Sequence, residues 1–350
     1  MKTAAILTGI GTCLPPRLVS NDELAARLDS SDEWITARTG IRQRYVATAG
    51  MATSDLAVTA ASRALASSGS RSVDAVVLAT TTPDQPCPAT APAVASRLGM
   101  TGIAAFDVAA VCSGFVYALA TAAGLLAAGT AGSALVIGAE VFSSILNPGD
   151  RSTSVIFGDG AGAVVLSTGS AREPGAFGPF DLGSDGTGSN LIAIPGGGSR
   201  QRLSGLPPVP EDRYFTMAGK TVFLHAVQAM CGSALAVLGR AGWSIADVDW
   251  LVCHQANLRI THQVADTLGI PRERSVSNID RVGNTAAASI PLALGQAHAA
   301  GTLRAGDRIL LTAFGGGLSW GSTLLTWPSL APGGPDGEDP QLSSTGMTTK

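Results

Sequence analysis

Charge is scarce in this 350-residue chain. Asp, Glu, Lys and Arg make up 14% of it, and the only lysines are Lys2, Lys220 and Lys350. The net charge of −3 argues against nucleic acid or an anionic membrane as the main partner, because both reward clustered Lys and Arg. Cysteine is also sparse: the five residues at 13, 87, 112, 231 and 253 form no CxxC pair and are odd in number. Neither a disulfide framework nor a zinc site follows, and a reducing cytoplasm is the expected setting. No run of 18 apolar residues occurs, so no membrane span is expected. The start, Met1-Lys2-Thr3 and then Ala4 to Ile10, faintly resembles a signal peptide. Its apolar run is short, Gly9 breaks it, and no small-x-small cleavage site follows, so a first β-strand is expected. The glycine cluster Phe157-Gly158-Asp159-Gly160-Ala161-Gly162 does not match GxGxxG, which removes a dinucleotide site.

What remains is apolar and long. A hydrophobic content of 45% describes a well-buried globular protein, and the length predicts two domains or one large duplicated unit. Ser20-Asn21-Asp22-Glu23 and Ser31-Asp32-Glu33-Trp34 are capped helix starts, the second helix ending near Gly40. Trp34, Arg38 and Arg42 recur at four-residue spacing, and Trp34 with Arg38 fits one helical face. An alanine-rich amphipathic helix from Thr53 to Ser68 leads into the apolar run 73–80, a strand buried on both faces. A loop with Pro83, Pro86 and Pro88 follows, then a helix to Gly99. Glycine and proline dominate from about 169 to 210, the natural seam of the chain. The chain is expected to divide into halves at 1–170 and 211–327, a connection at 171–210 and a disordered tail at 328–350.

Beyond the seam the pattern repeats. A helix from about Thr221 to Ala241 leads to the apolar run 248–254, as the helix from Thr53 leads to 73–80. Asn284-Thr-Ala-Ala-Ala-Ser-Ile-Pro291 opens a small-residue helix running to Ala299-Ala-Gly301-Thr. The helix after Cys112 likewise runs to Ala127-Ala-Gly129-Thr. The offset is 172 at both ends, since 284 − 112 and 301 − 129 agree. Strand 308–313 mirrors strand 133–139. The chain is one βαβ-rich unit duplicated, with Cys112 and Asn284 at equivalent helix starts.

Chemistry gathers at element ends. In Asp107-Val-Ala-Ala-Val-Cys112-Ser-Gly114, a strand gives way to a helix whose apolar residues Phe115, Leu119, Ala122, Ala123 and Leu126 recur at helical spacing. A cysteine at a helix N-terminus is expected to favour thiolate, although an isolated cysteine is more often buried and inert. His254 ends a buried strand, the usual place for chemistry in α/β sheets, but a hydrogen-bonded structural histidine fits as well. Asn284 follows Gly283 at a helix start and would also serve as an N-cap. Phe314-Gly315-Gly316-Gly317-Leu318 brings free backbone to a strand end. Together they suggest a thiol nucleophile with oxyanion donors.

These stretches are specific enough to place. DVAAVCSGFVYAL around Cys112, HQANLRI at 254–260, DRVGNTAAASIP at 280–291 and AFGGGLSWGS at 313–322 resemble β-ketoacyl-acyl-carrier-protein synthase III, the initiating condensing enzyme of the thiolase superfamily. SSDEWITARTGIRQR at 30–44 and FGDGAGAVVL at 157–166 match too. The resemblance implies a five-layered αβαβα thiolase fold, a homodimer and acyl-CoA as substrate, with no metal or cofactor. It implies that Cys112 becomes the acyl-enzyme, and that His254 and Asn284 stabilise the enolate formed from malonyl-acyl carrier protein. The backbone N–H groups of Cys112 and Gly316 would hold the second oxyanion. Trp34, Arg38 and Arg151 match CoA-nucleotide contacts. Gly219, Phe223 and Asn257 match the pantetheine tunnel, Phe314 the acyl pocket and Arg259 a carrier-protein contact.

Two positions depart from the pattern. Cys87 stands where acetyl-specific members place a bulky Phe that closes the partner's acyl pocket. Leu224, Asp266 and Thr267 stand where carrier-docking lysines often occur. A rival reading keeps the acyl-cysteine but passes the acyl group to a hydroxyl or amine, a reaction in which no enolate needs His254 and Asn284. A non-catalytic acyl-binding partner would be expected to have lost Cys112.

Overall fold

The computed structural model describes residues 3–331. In chain order its strands are β1 (Thr3–Cys13), β2 (Arg17–Ser20), β3 (Gln43–Val46), β4 (Ala75–Ala79), β5 (Ala104–Val108), β6 (Ser133–Glu140), β7 (Gly160–Ser170), β8 (Phe177–Ser184), β9 (Ile192–Ala193), β10 (Thr216–Met217), β11 (Trp250–Cys253), β12 (Arg308–Gly315) and β13 (Ser319–Thr326). The helices are α1 (Asn21–Ala25), α2 (Asp32–Thr39), α3 (Thr53–Ser68), α4 (Ala91–Arg97), α5 (Gly114–Ala127), α6 (Arg151–Ser154), α7 (Ser199–Arg202), α8 (Gly219–Ala241), α9 (Leu258–Leu268), α10 (Ile279–Val282) and α11 (Ser289–Ala299).

Two sheets carry the molecule, in orders β1-β7-β6-β4-β5 and β11-β12-β13-β8. Read from the other edge, the second runs β8-β13-β12-β11, matching β1-β7-β6-β4 strand for strand. Directions match as well: β4 is parallel to β6 as β11 is to β12, while β6/β7, β7/β1, β12/β13 and β13/β8 are antiparallel. The duplication in the sequence is therefore a duplication of topology.

Burial follows from the layering. All of β4 is buried on both faces because α3 and α4 cover one side of its sheet and α5 and α11 the other. The helices α5 and α11 are small-residue helices sandwiched between the two sheets, and α8 and α9 cover the far face of the second sheet. Helix, sheet, helices, sheet, helix is the five-layered αβαβα thiolase arrangement. Although α8 is long and apolar enough to cross a membrane by length and composition, one of its faces is buried in this fold. Val222, Ala226, Met230, Ala234 and Val237 make one buried stripe against the second sheet.

Three local expectations change. The stretch 171–210, expected as a connection, supplies β8, the counterpart of β1. Its sequence, FGPFDLGS, has no β-branched residue, so only pairing with β13 makes it a strand. Residues 328–331 fall in the expected tail, yet Leu330 packs on the core and Ala331 O accepts from Ser67 Oγ; the rest of that tail lies outside the described residues. Finally, Cys112 and Asn284 are not equivalent. Each sandwiched helix is preceded by a 3-10 turn, Val111–Ser113 before α5 and Ala286–Ala288 before α11. Val111 (φ 46°) and Ala286 (φ 44°) are the two non-glycine residues with positive φ among the described residues. Their offset is 286 − 111 = 175, against 172 at the helix ends, so α11 is three residues shorter and Cys112 matches Ala287. Asn284 lies three residues upstream, in the approach to the turn.

Candidate active site

Cys112 is the middle residue of the first 3-10 turn, buried at the head of α5. The turn is pressed from both sides. A Cβ on Gly114 would sit 3.1 Å from Ala79 Cβ, and one on Gly315 would sit 2.7 Å from Cys112 N. Gly315 must be glycine because backbone comes that close, whereas the near neighbour of Gly114 is the Ala79 methyl. Ser113 Oγ donates to Ala110 O at 2.8 Å and lies 2.8 Å from Ser319 Oγ, which donates to Gly316 O at 2.8 Å. The Cys112 turn and the glycine turn between β12 and β13 are thus one unit. Gly316 itself faces Val111, the residue before Cys112, with room of only 3.2 Å for a Cβ.

His254 follows β11 directly, with its N–H on Thr312 O at 2.8 Å. Its Nδ1 lies 2.7 Å from Ser289 Oγ, at the start of α11. Asn284 is held by backbone on both sides: its N–H donates to Ile156 O at 2.9 Å, and its carbonyl accepts from Gly158 N–H at 2.9 Å. Behind this loop the buried Arg44 guanidinium donates to Val155 O at 2.7 Å and Asn21 Oδ1 at 2.8 Å. The Asn284 side chain is divided. Oδ1 accepts from Ala286 N at 2.9 Å, the local turn-closing role, while Nδ2 reaches Ala256 O at 3.4 Å. One amide hydrogen is left over, so the structural and chemical readings of Asn284 hold together.

All three side chains line one cavity of about 30 Å³, with Phe157, Phe215, Met217, Met230 and Phe314. It opens into a cleft of about 560 Å³ that shares Met217, Val222, Ala256, Ile260 and Asn284 with it. The expected Trp34, Arg38, Gly219, Phe223, Asn257 and Arg259 all line that cleft. Two guanidiniums approach the Trp34 ring, Arg38 at 4.3 Å and Arg151 at 4.8 Å from its centroid. Arg42, beyond the end of α2, plays no part in this stack. Arg259 sits 5.8 Å over Phe223 at the rim, and Asn257 caps α9 through Oδ1 on Ile260 N. Near that rim Leu224 is exposed, and Asp266 is occupied by Arg272 at 2.9 Å. Cys87 is exposed at the tip of the β4–α4 loop and lines neither cavity of its own chain.

The electrostatics correct the expected thiolate. Burial, with the Glu140 charge added, pushes the Cys112 thiol well above its ordinary range. Taking a thiolate out of water costs more than the N-terminus of α5 returns. The same burial drives the His254 imidazole down to about 3, so His254 is neutral throughout the physiological range. Sequence reasoning missed Ser289 and Glu140. The first is 35 residues from His254, and the second ends a buried strand with nothing local to mark it.

A thiol, a neutral imidazole and a carboxamide in one dry cavity, at the floor of a cleft with an arginine-flanked tryptophan, define a thiolase-fold acyltransferase. Family models agree. Residues 106–186 match 3-oxoacyl-[acyl-carrier-protein] synthase III, and residues 238–327 match its C-terminal portion. Over 334 residues the chain is 65% identical to β-ketoacyl-[acyl-carrier-protein] synthase III 3 of Streptomyces coelicolor, covering 95% of this chain and 100% of that one. The crystal structure of 3-oxoacyl-(acyl carrier protein) synthase III from Pseudomonas aeruginosa PAO1 is 52% identical with a TM-score of 0.88, covering 94% of this chain and 100% of that one. The priming β-ketosynthase from the R1128 polyketide pathway superposes with a TM-score of 0.86 at 36% identity, covering 93% of this chain and 96% of that one. The chain belongs to the 3-oxoacyl-[acyl-carrier-protein] synthase III family.

Proposed function

We propose that the enzyme condenses an acyl-CoA primer with malonyl-acyl carrier protein, releasing carbon dioxide and giving a 3-oxoacyl-carrier protein that starts a fatty acid or a polyketide. The observation that supports this most is the convergence of Cys112, His254 and Asn284 on one buried cavity at the floor of the Trp34 cleft.

The nucleotide of acyl-CoA stacks on Trp34 between Arg38 and Arg151, and the pantetheine arm passes Gly219, Phe223 and Asn257. Cys112 Sγ attacks the thioester carbonyl, the C–S bond to CoA breaks, and the thiol proton leaves with the CoA sulfur. The amides of Cys112 and Gly316 hold the oxyanion. Malonyl-carrier protein then places its thioester carbonyl against His254 and Asn284. The bond to its carboxylate breaks, carbon dioxide leaves, and the electron pair becomes an enolate facing Nε2–H and Nδ2–H. Its carbon attacks the acyl-cysteine, and the Cys112 sulfur departs as a thiolate that takes up a proton from solvent, the one proton the overall condensation consumes. Simple transfer to a hydroxyl or amine has no enolate, so the paired donors favour carbon–carbon bond formation. The working unit is a cytoplasmic homodimer in which the Cys87 loop closes the neighbour's acyl pocket, with Arg259 on the carrier side.

Mass spectrometry of intact protein tests this. Incubation with a panel of acyl-CoAs should add an acyl mass to Cys112, and malonyl-carrier protein should then discharge it as a 3-oxoacyl product. Acylation discharged only onto hydroxyls or amines would overturn the condensation.

A further inference from the structure

Glu140 ends β6 and is fully buried, yet the steps above leave it unused. Its hydrogen-bond partners are all amide or hydroxyl groups. Thr81 N–H donates to both carboxylate oxygens at 3.1 and 3.0 Å, Thr82 Oγ1 donates at 2.9 Å, and Thr80 Oγ1 at 3.5 Å. Ala287 N–H, in the turn that follows Asn284, points at it from 3.5 Å. Two residues earlier on the same strand, Gly138 touches that turn directly, since a Cβ there would lie 2.3 Å from Ala287 O. Thr82 is anchored in turn, its Oγ1 accepting from Val141 N at 2.9 Å. One carboxylate therefore joins three segments distant in sequence: the end of β6, the corner where β4 enters the Cys87 loop, and the turn whose first residue, Ala286, is closed by Asn284 Oδ1.

We propose that Glu140 is a positioning residue of the condensation step, its carboxylate holding the Thr80–Thr82 corner and the Asn284 turn in one register. An apolar residue could fill this space, but it could not accept from Thr81 N–H and Thr82 Oγ1 at once, and buried donors left unpaired are costly. Burial pushes the Glu140 carboxyl up to about 7 against the hydrogen bonds that favour its charge. The titratable groups around it are Cys112, Asp84 in the same loop and Asp159 beside the paired residue Gly160. Asp84 bonds Ser54 N, Asp159 bonds Ala47 N and Ser143, and the Cys112 thiol stays protonated. As pH falls through 7, Glu140 gains a proton, loses acceptor capacity, and the register loosens.

The inference rests on the condensation reading, and the wild type tests that separately. Wild-type discharge of acyl-Cys112 by malonyl-carrier protein must be seen first; its failure sinks the reaction, not the role of Glu140. Condensation by Glu140→Gln is then followed from pH 5.5 to 8.5. The wild-type kcat should show an acid limb near pH 7, and the variant should lose that limb, fall about tenfold at pH 8 and keep its KM for acyl-CoA. Thr82→Val, which removes the hydroxyl donor with shape retained, should lower kcat in the same way, and Thr82→Ser should restore it. An acid limb unchanged in Glu140→Gln, or full kcat at pH 8, overturns the proposal. Should Glu140→Gln fail to fold, the two Thr82 variants decide: equal kcat in Val and Ser refutes it.

Discussion

His254 offers the sharpest test of the site, through a residue that never touches substrate. A neutral imidazole carries one proton, and enolate stabilisation requires it on Nε2. The 2.7 Å contact between Nδ1 and Ser289 Oγ selects that tautomer when the hydroxyl donates. Ser289→Ala removes the donor and leaves Nδ1 without a partner in a site where His254 is 3% exposed. A neutral buried hydrogen bond contributes about 0.5–1.5 kcal/mol, equivalent to about twofold to tenfold in the tautomer ratio. Malonyl-dependent condensation should therefore fall by no more than that factor, about twofold to tenfold, well short of the hundred- to thousandfold expected when a donor such as His254 is deleted. Acyl uptake by Cys112 should not change. Because the imidazole titrates only near 3, the defect should be the same from pH 5.5 to 8. Alanine suits a helix start at least as well as an interior serine does, so α11 should survive. Stopped assays of carbon dioxide release, with nitrogen NMR of the ring to read the tautomer, give the answer. Wild-type rates in Ser289→Ala would refute the tautomer argument, and so would a loss equal to that of His254→Ala with a misfolded spectrum.

Three further outcomes are expected. Cys112→Ser should lose the acyl mass shift on a cysteine peptide, whereas Asn284→Ala should keep it while releasing carbon dioxide about a hundred- to a thousandfold more slowly; equal loss of both half-reactions would reduce Asn284 to its turn-closing role. Trp34→Ala removes two guanidinium–ring contacts of about 0.5–1 kcal/mol each at a half-buried site, and with them the ring on which the nucleotide is proposed to lie. KM for acyl-CoA should rise about fivefold or more with kcat unchanged, and acyl-pantetheine, which lacks the nucleotide, should show no difference. Cys87→Phe should shift kcat/KM from butyryl- towards acetyl-CoA by about tenfold, since two or three buried methylenes are worth about 2 kcal/mol in an apolar pocket. Unchanged selectivity, with a wild type that already prefers acetyl-CoA, would refute an open pocket.

The parts of this molecule legible in its sequence are those with local causes. Alanine periodicity between Gly50 and Gly69 fixes α3 at Thr53–Ser68, as read. Trp34 and Arg38 meet because four residues make one helical turn. Failures begin where the cause is distant. β8 exists because β13 pairs with it. The equivalence of Cys112 and Asn284 fails because α11 is three residues shorter at its start than α5, while the glycine caps at the other ends, Gly129 and Gly301, keep their offset. Helix-end reasoning predicted a thiolate from the dipole alone, and burial, which only the assembled layers create, reversed it. Ser289 and Glu140 stayed invisible for the same reason, their partners being 35 to 147 residues away.

On the proposed condensation, that reversal accounts for how the site keeps its intermediate. The dryness that raises the Cys112 thiol also lowers His254, so the resting cavity favours a neutral thiol and a neutral imidazole over a standing thiolate. A thiolate waiting in an open cleft would react with whatever electrophile arrived. Here the sulfur becomes a nucleophile only when a bound thioester supplies both an oxyanion hole and a departing sulfur able to take the proton. Once the acyl group is on Cys112, exclusion of water protects it from hydrolysis until malonyl-carrier protein arrives. The enolate then forms where Nε2–H and Nδ2–H act in a low-dielectric cavity and are worth more than in water. A neutral His254 serves this better than a charged one. It donates without having to be paired, and a cavity lined by Phe157, Phe215 and Phe314 offers an imidazolium no counter-charge. Selective nucleophile, durable acyl-enzyme and strong enolate donors are three consequences of one buried cavity.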